Sequence, residues 1–432
     1  MGDIGGETFL DSEMPQELND LLSFVRTNSP YYQRLWRNVP SDGSASLDQY
    51  PVVDHASYWT ANTCMNSQVL TGPHVSGIVL KTGGTTSHPK VTFYTKDELR
   101  MASQQLGLGI LAAGVRSHDR VANLFYAGEM YGSFLLHVLS IMDLTIPLVH
   151  LPIGGSCASE TTIQYMRESS ATVVFSTVTT LVKLAEYLLE RQEVMPGIRV
   201  LMFSGEAFYE DQRSRVSHAF PGAMIRSLIY GSIDAGALGY STSENDSRLH
   251  AVSSPYVMLE IAPDGLTSTK ANGIPGSVLV TNMGRRLQPV IRYPSGDLAE
   301  WVDYEKGIFR VLGRDIIGVR IGPVSFDTKH LRQIVASSLD TSGDLSAFQA
   351  VISRANMRDV LTLNVGFRPV DEEATKIAIS AALNDARPMF LDHVQRGLIA
   401  PLQIEFLAVE RFKISPTTGK LAELVDERPT MI

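Results

Sequence analysis

The sequence predicts an α/β protein: a large N-terminal domain over residues 1–314, built on parallel strands with crossover helices, followed by a small α+β domain over residues 315–432. Three observations lead there. Short apolar, β-branched runs alternate with segments of helical period between residues 120 and 230. Beyond Arg314 the pattern becomes helix, strand, strand, helix, strand. The 432 residues are 44% apolar and 19% charged, a globular composition that excludes disorder, collagen and coiled coil.

In chain order, the strand candidates of the alternating region are VANLFY (121–126), ATVVF (171–175), RVLMF (199–203) and SLIY (227–230). Between them lie TIQYMRESS, TLVKLAEYLLERQ with Leu181, Leu184, Ala185, Leu188 and Leu189 on one face, and EDQRSRVSHAF. Strands separated by helices pair in parallel through right-handed crossovers. Downstream, GIPGSVLVTN, RYPSGDLAEW and GIFRVLGRD read as further strands with turns. KHLRQIVASSL and EEATKIAISAALND then read as helices, and AFQAVIS, VLTLNVGF and PLQIEFLAV as strands. GLGILAAG (107–114) lacks the GxGxxG spacing and lies within an amphipathic helix, so helix packing explains its glycines.

Charge and cysteine use narrow the function. A net charge of −9 argues against a general binder of nucleic acid or anionic membranes. Cys64 and Cys157 show no metal-ligand spacing, which fits a reducing cytoplasm. The segment MGDIGGETFL has no basic region leading into an apolar run, no uncharged apolar stretch of membrane length occurs, and Gly6 stands where a myristoylation signal needs Ser or Thr. His137, His150 and His218 are isolated and read as packing or surface residues.

The chemistry gathers in SGIVLKTGGTTSHPKVTFYTKDEL (76–99). Two strand-like runs flank a loop of small and hydroxylated residues, and Thr95 with Glu98 forms a capping box that starts a helix directing Leu99, Ala102, Leu106 and Ile110 inward. Gly83 and Gly84 expose backbone N–H groups, Thr82, Thr85 and Thr86 add hydroxyls, and Lys90 adds a compact cation, which together suit a polyphosphate. An ordinary polar hairpin loop has the same composition. The P-loop NTPase motif is excluded, because Lys90 follows Pro89 and precedes Val91. Three Gly-rich turns, Ser204–Ala207, Gly231–Gly236 and Ala127–Tyr131, follow predicted strands and would converge on one crevice at the carboxyl ends of the sheet.

TGGTTSHPK resembles the phosphate loop of adenylate-forming enzymes, the superfamily of acyl-CoA synthetases, adenylation domains and luciferases, whose loop usually reads TSGTTGKPK. SGEA (204–207), YGSIDAG (230–236), GIPGSVLVT (273–281), RYPSGDL (292–298), GRD (313–315) and SPTTGKL (415–421) are similar to further family segments and occur in family order. NSPYYQRLW (28–36), YPVVDHASYW (50–59) and the overall length resemble the phenylacetate-CoA ligase branch.

The resemblance implies a mobile C-terminal domain, ATP and Mg²⁺, and an aromatic acid, with an amino- or hydroxybenzoate preferred over phenylacetate. The acid would form an acyl-adenylate with release of pyrophosphate, then pass to coenzyme A or a carrier protein's phosphopantetheine. It implies that Thr82, Gly83, Gly84, Thr85, Thr86 and Lys90 hold the phosphates. Gly205, Glu206, Ala207, Tyr230, Gly231 and Ser232 would lie at the adenine, with Asp297 and Arg314 at the ribose. Asp234, where the family has Glu, would be the metal ligand, Lys420 the catalytic lysine, and Asp315 the hinge. Tyr126, Gly128, Met130, Tyr131, Ala235 and Gly236 would form the acid pocket. A homodimer is common in this branch. Ser87, His88 and Ile233 depart from the pattern, the last removing a hydroxyl. Two alternatives stay open: an enzyme that stops at the adenylate or transfers to an amine, and a non-catalytic nucleotide-binding relative.

Overall fold

The alternating segment folds as a five-stranded, all-parallel sheet in the computed structural model, which describes residues 15–428 except 82–89, 129, 206, 207, 209, 244, 245, 315–318, 322, 323, 327, 340–344, 356, 357, 396, 398 and 415–418. From edge to edge the strands are Val149–Leu151, Arg120–Asn123, Val173–Ser176, Val200–Phe203 and Met224–Ser227. The chain enters at the second strand, steps to the edge, then crosses back. The order therefore reverses beside Arg120–Asn123, and a ligand crevice belongs at such a reversal. Val173–Ser176 and Val200–Phe203 are buried along their whole length, which explains why they read as continuous apolar runs rather than alternating ones.

SLIY needs a correction. The fifth parallel strand is Met224–Ser227, and Tyr230–Ser232 begins the edge of a different sheet, so the YGSIDAG turn does not follow the parallel sheet as the sequence predicts. The apolar run continues through Leu228, fully buried between the two strands, and hydrophobicity alone does not mark the switch.

That second sheet has seven antiparallel strands, in the order Val257–Ala262, Gly276–Asn282, Val290–Asp303, Ile308–Arg314, Leu249–Val252, Gly236–Ser241 and Tyr230–Ser232. One core joins it to the N-terminal helix Gln16–Asn28, whose Leu18, Leu21, Leu22 and Val25 recur at helical spacing and are buried. Tyr32 and Tyr58 both donate their hydroxyls to Pro289 O, at 3.0 and 2.9 Å. Arg292 is the hub. Its buried guanidinium donates to both carboxylate oxygens of Glu260 (3.1 and 3.0 Å) and to the carbonyls of Asp48, Tyr50 and Leu266. Burial pushes the Glu260 carboxyl up, and the Arg292 charge opposes that shift.

The chain divides into two units. The first comprises Met1–Thr177, Gly197–Gly205 and Ala223–Asp315, and the second Val178–Pro196, Glu206–Gly222 and Ile316–Ile432. The second unit thus includes the helices Val178–Glu190 and Glu210–Ala219. Of the face predicted for the first of these, Leu181, Leu184, Ala185 and Leu188 are buried and Leu189 is half-buried. The centre of the second unit is the antiparallel pair Ala347–Ala355 and Arg358–Gly366, flanked in parallel by Leu424–Asp426 and Gln403–Phe406. Helices Thr328–Ser338 and Glu372–Ala386 contribute Leu331, Val335, Ile379 and Leu383 to its core.

Removing one partner of the Arg292–Glu260 pair leaves a buried charge uncompensated. Arg292→Met is therefore expected to cost about 3–5 kcal/mol, and Glu260→Met in the same chain to recover more than half of it. Urea unfolding of the two variants checks this, since an additive double variant would contradict the hub.

Candidate active site

The hairpin comes first. Gly77–Lys81 and Val91–Thr95 pair antiparallel, with Ile78 opposite Tyr94 and Lys81 opposite Val91, so Lys90 stands at the base of the connecting loop. The capping box holds the far end: Thr95 Oγ1 accepts from Glu98 N, and Glu98 Oε2 accepts from Thr95 N at 2.8 Å. The helix Lys96–Ala112 follows, with Leu106 and Ile110 buried and Leu99 and Ala102 half-buried. Gly107 and Gly109 face it closely onto Leu144 and Ile229, in agreement with the packing reading of GLGILAAG. Thr82, Gly83, Gly84, Thr85 and Thr86, together with Ser87 and His88, lie outside the described residues.

Lys90 Nζ lies 2.6 Å from His55 Nε2 and 5.2 Å from the Trp59 ring. Both partners sit on the helix His55–Ala61, whose N-cap Asp54 accepts from Ser57 N at 2.8 Å. Burial, then the Lys90 charge, lowers the His55 pKa against the opposing pull of Asp234 and Asp54, so the imidazole stays neutral at neutral pH and its Nε2 accepts a hydrogen bond from the Lys90 ammonium. Trp59 Nε1 donates to Tyr293 Oη at 2.9 Å, and Tyr293 Oη donates to Asp234 Oδ2 at 2.8 Å.

Asp234 occupies the turn between Tyr230–Ser232 and Gly236–Ser241 and is 7% exposed. Burial raises its pKa, but the Ser232 hydroxyl, the Lys90 charge and the Tyr293 hydroxyl outweigh burial, and the carboxyl titrates below its ordinary range. Tyr94 Oη donates to Ile233 O at 2.6 Å, Asn282 Nδ2 to Ala235 O at 2.7 Å, and Ala235 N to Ser232 Oγ at 3.2 Å. Gly231 fits because a Cβ there would lie 2.3 Å from Gly236 O. The chemistry of this donor set suits a Mg²⁺ ion held mainly by phosphate oxygens: one ionised carboxylate is present, with one oxygen already committed to Tyr293.

The turn also meets the predicted acid pocket. A Cβ on Gly132 would lie 2.7 Å from Ile233 Cδ1 and 2.9 Å from Leu80 Cδ1, so Ile233 fills the space over Gly132. Tyr131 N donates to Gly128 O, and Lys81 N to Met130 O, which fastens the segment Gly128–Tyr131 to the hairpin. Met130 is 43% exposed and Gly128 faces open space. Tyr126 is mostly buried, with its ring where a Gly155 side chain would stand. Beside Gly236 a cavity of about 10 Å³, lined by Tyr94, Glu98, Asn282 and Arg285, has room for one water.

Tyr230 Oη donates to Asp297 Oδ2 at 2.8 Å, and its ring packs against Phe309 at 5.5 Å. Asp297 pairs in register with Arg314, whose side chain is not among those described. Ser204 Oγ bonds Ile229 O, placing Gly205 (φ +80°) beside the start of the Tyr230 strand. Glu206, Ala207 and Asp315 lie outside the described residues. Lys420 belongs to the second unit, between Gly419 and Leu421, whose N–H donates to Thr179 Oγ1.

Sequence reasoning missed His55, Trp59, Tyr293 and Tyr94. The i, i+4 spacing of His55 and Trp59 was the one available signal. His137 is a packing residue, stacked on Phe125 at 4.2 Å, with burial pushing its pKa down to about 4.

A phenylacetate-coenzyme A ligase from Thermus thermophilus is 23% identical over 318 residues, covering 72% of this chain and 68% of the relative. A 2-hydroxyisobutyryl-CoA ligase structure in its postadenylation state superposes with a TM-score of 0.71 at 19% identity, covering 95% of this chain and 88% of that one. The chain has the fold of the adenylate-forming enzymes. An anthranilate CoA ligase with anthranoyl-AMP has a TM-score of 0.53 at 16% identity, over 79% of this chain and 65% of that one. No protein-family profile matches.

Because the folded chain resists protonating His55, the unfolded state takes up that proton first as the pH drops below 6.5. Stability is therefore lost through His55 on acidification. Wild type should lose roughly 2 °C more in Tm than His55→Gln between pH 7 and pH 5 in scanning calorimetry. Parallel pH curves for the two proteins would show that the fold does not hold the His55 pKa down.

Proposed function

We propose that the chain uses ATP to activate an aromatic carboxylic acid and transfers the acyl group to coenzyme A. The observation that carries this reading is the joined cluster of Lys90, His55, Tyr293 and Asp234, which fixes a cation at the base of a Gly/Thr-rich loop and against the turn that begins with Tyr230. Such an arrangement suits phosphate binding, since an ordinary surface lysine would not be set among an imidazole, an indole ring and a buried carboxylate.

In the first half-reaction a carboxylate oxygen of the acid attacks the α-phosphorus of ATP, the bond to pyrophosphate breaks, and an acyl-adenylate forms. Lys90 neutralises phosphate charge. Mg²⁺ would be held by Asp234 together with phosphate oxygens, and when bound it neutralises the leaving pyrophosphate. Tyr230 faces the base, and Asp297, oriented by the Tyr230 hydroxyl, accepts the ribose hydroxyls together with Arg314. Lys420, carried on a lid over residues 315–432 that swivels at Asp315, meets the carboxylate and bridging oxygens. In the second half the thiol sulfur attacks the acyl carbon, the C–O bond to AMP breaks, and the thiol proton leaves to solvent.

The aromatic preference is supported by the exposed Met130, by Tyr131 and by the open space at Gly128, and by the likeness to the phenylacetate-coenzyme A ligase. Coenzyme A is favoured as acceptor because the compared ligases use it by name. Two free cysteines and the absence, among the described residues, of a helix long and apolar enough to cross a membrane are compatible with work in the cytoplasm.

A pyrophosphate-release screen over aryl and aliphatic acids, with and without coenzyme A, tests the proposal. Release is expected with an aryl acid, with thioester accumulating when coenzyme A is added. Lys420→Ala should reduce adenylation about 10²–10³-fold. Turnover with fatty acids alone would overturn the aromatic reading. Adenylate without thioester, or an amide product, would overturn the acceptor.

A further inference from the structure

Residues flanking Lys420 are held by a buried amide for which the proposed reaction has no other use. Gln349 lies in the central strand Ala347–Ala355 of the second unit and is fully buried. Its neighbours Phe348 and Ala350 are fully buried too, so both faces of the strand are interior and an apolar residue would be the ordinary choice. Gln349 Nε2 instead donates to Lys413 O at 3.0 Å and to Ala422 O at 2.8 Å. Its Oε1 accepts from Asn364 Nδ2 at 3.2 Å and from Lys413 N at 3.4 Å.

Those contacts join the chain on either side of residues 415–418. Ala422 N donates to Lys413 O, Ile414 bridges Leu421, and Ala350 N donates to Glu423 O where the parallel strand Leu424–Asp426 begins. A third tie meets the residue next to Lys420: Leu421 N donates to Thr179 Oγ1 at 3.1 Å, from the helix Val178–Glu190. Lys420 is thus flanked by a backbone fixed from the strand beneath and from a helix beside it. A flexible four-carbon side chain loses least on reaching its target when its own Cα does not wander.

We propose that Gln349 is the positioning residue for Lys420, clamping both flanks of its segment, and that Thr179 completes the clamp through Leu421. The inference rests on Lys420 acting in adenylation, as proposed above. Gln349 touches no reacting atom. It acts by restricting where the ammonium group stands.

Full-length Gln349→Met, Thr179→Val and Thr179→Ser are compared with wild type in two arms. Hydrogen–deuterium exchange reads the clamp itself. In Gln349→Met, peptides spanning residues 413–423 should exchange about tenfold faster while Arg358–Gly366 stays protected. Kinetics read the consequence. Pyrophosphate release should fall about tenfold in Gln349→Met and Thr179→Val, with KM for ATP and thioester formation from supplied acyl-adenylate within about twofold of wild type. Thr179→Ser, which keeps the hydroxyl, should restore the rate. Unchanged exchange in Gln349→Met, or equal losses in both half-reactions, overturns the clamp. Should wild type release no pyrophosphate with any acid, the functional reading fails and the exchange arm still decides the clamp. Should Gln349→Met not fold, the near-isosteric Thr179→Val carries both arms.

Discussion

A carboxylate taken out of water has to be surrounded by donors or give up its charge, and Asp234 imposes that demand on the whole first unit. Its turn is met by one hydroxyl from the long strand Val290–Asp303, another from its own neighbour Ser232, and a cation from the base of the hairpin. Each donor needs support in turn. Tyr293 is fixed by Trp59, Lys90 by His55, and both of those by a helix capped at Asp54. Elements more than 200 residues apart in sequence are therefore bound to one another through a single ionised group. The arrangement is satisfied pair by pair, which is the condition under which a buried polar network makes one structure better than its alternatives.

Local chemistry was legible in the sequence. The Thr95 and Glu98 capping box needs three residues of context and formed as read, and the apolar runs of the parallel sheet announced themselves because strands covered on both faces are apolar throughout. What depends on distant partners was not legible. Nothing near Arg292 in sequence says that its guanidinium reaches back to Asp48 and Tyr50, or that Tyr293 donates to a turn 59 residues upstream. SLIY misled for a related reason: one buried stretch serves the end of one sheet and the beginning of another, and burial has no marker for the change. Ile233 looked like a lost hydroxyl, whereas its side chain occupies a hollow created by Gly132, a fact visible only when both are placed in space.

The second unit applies the opposite rule to its centre. Its aliphatic and aromatic core is interrupted where Gln349 and Asn364 meet across the antiparallel pair. An amide in such a place lowers the choice of packings, because only one register of the neighbouring segments answers all its donors and acceptors. Glu186, on the helix Val178–Glu190 with Arg215 alongside, is the contrasting case. Burial pushes its carboxyl up to about 7, the nearby Arg215 charge does not offset that, and Glu410 and Glu190 add to the rise.

Arg292 carries a consequence for how the chain is stitched. Its five donor bonds run to residues 48, 50, 260 and 266, and its own carbonyl accepts from Val53. The segment that follows the amino-terminal helices is thereby sewn into the largest sheet by one side chain and one backbone carbonyl, and is not laid over it as a detachable cover. A protease that nicks the chain near residue 40 would leave the severed helix held by its buried face and by the Tyr32 hydroxyl on Pro289 O, and a gene trimmed to begin beyond residue 53 would yield a sheet with its central cation facing missing carbonyls.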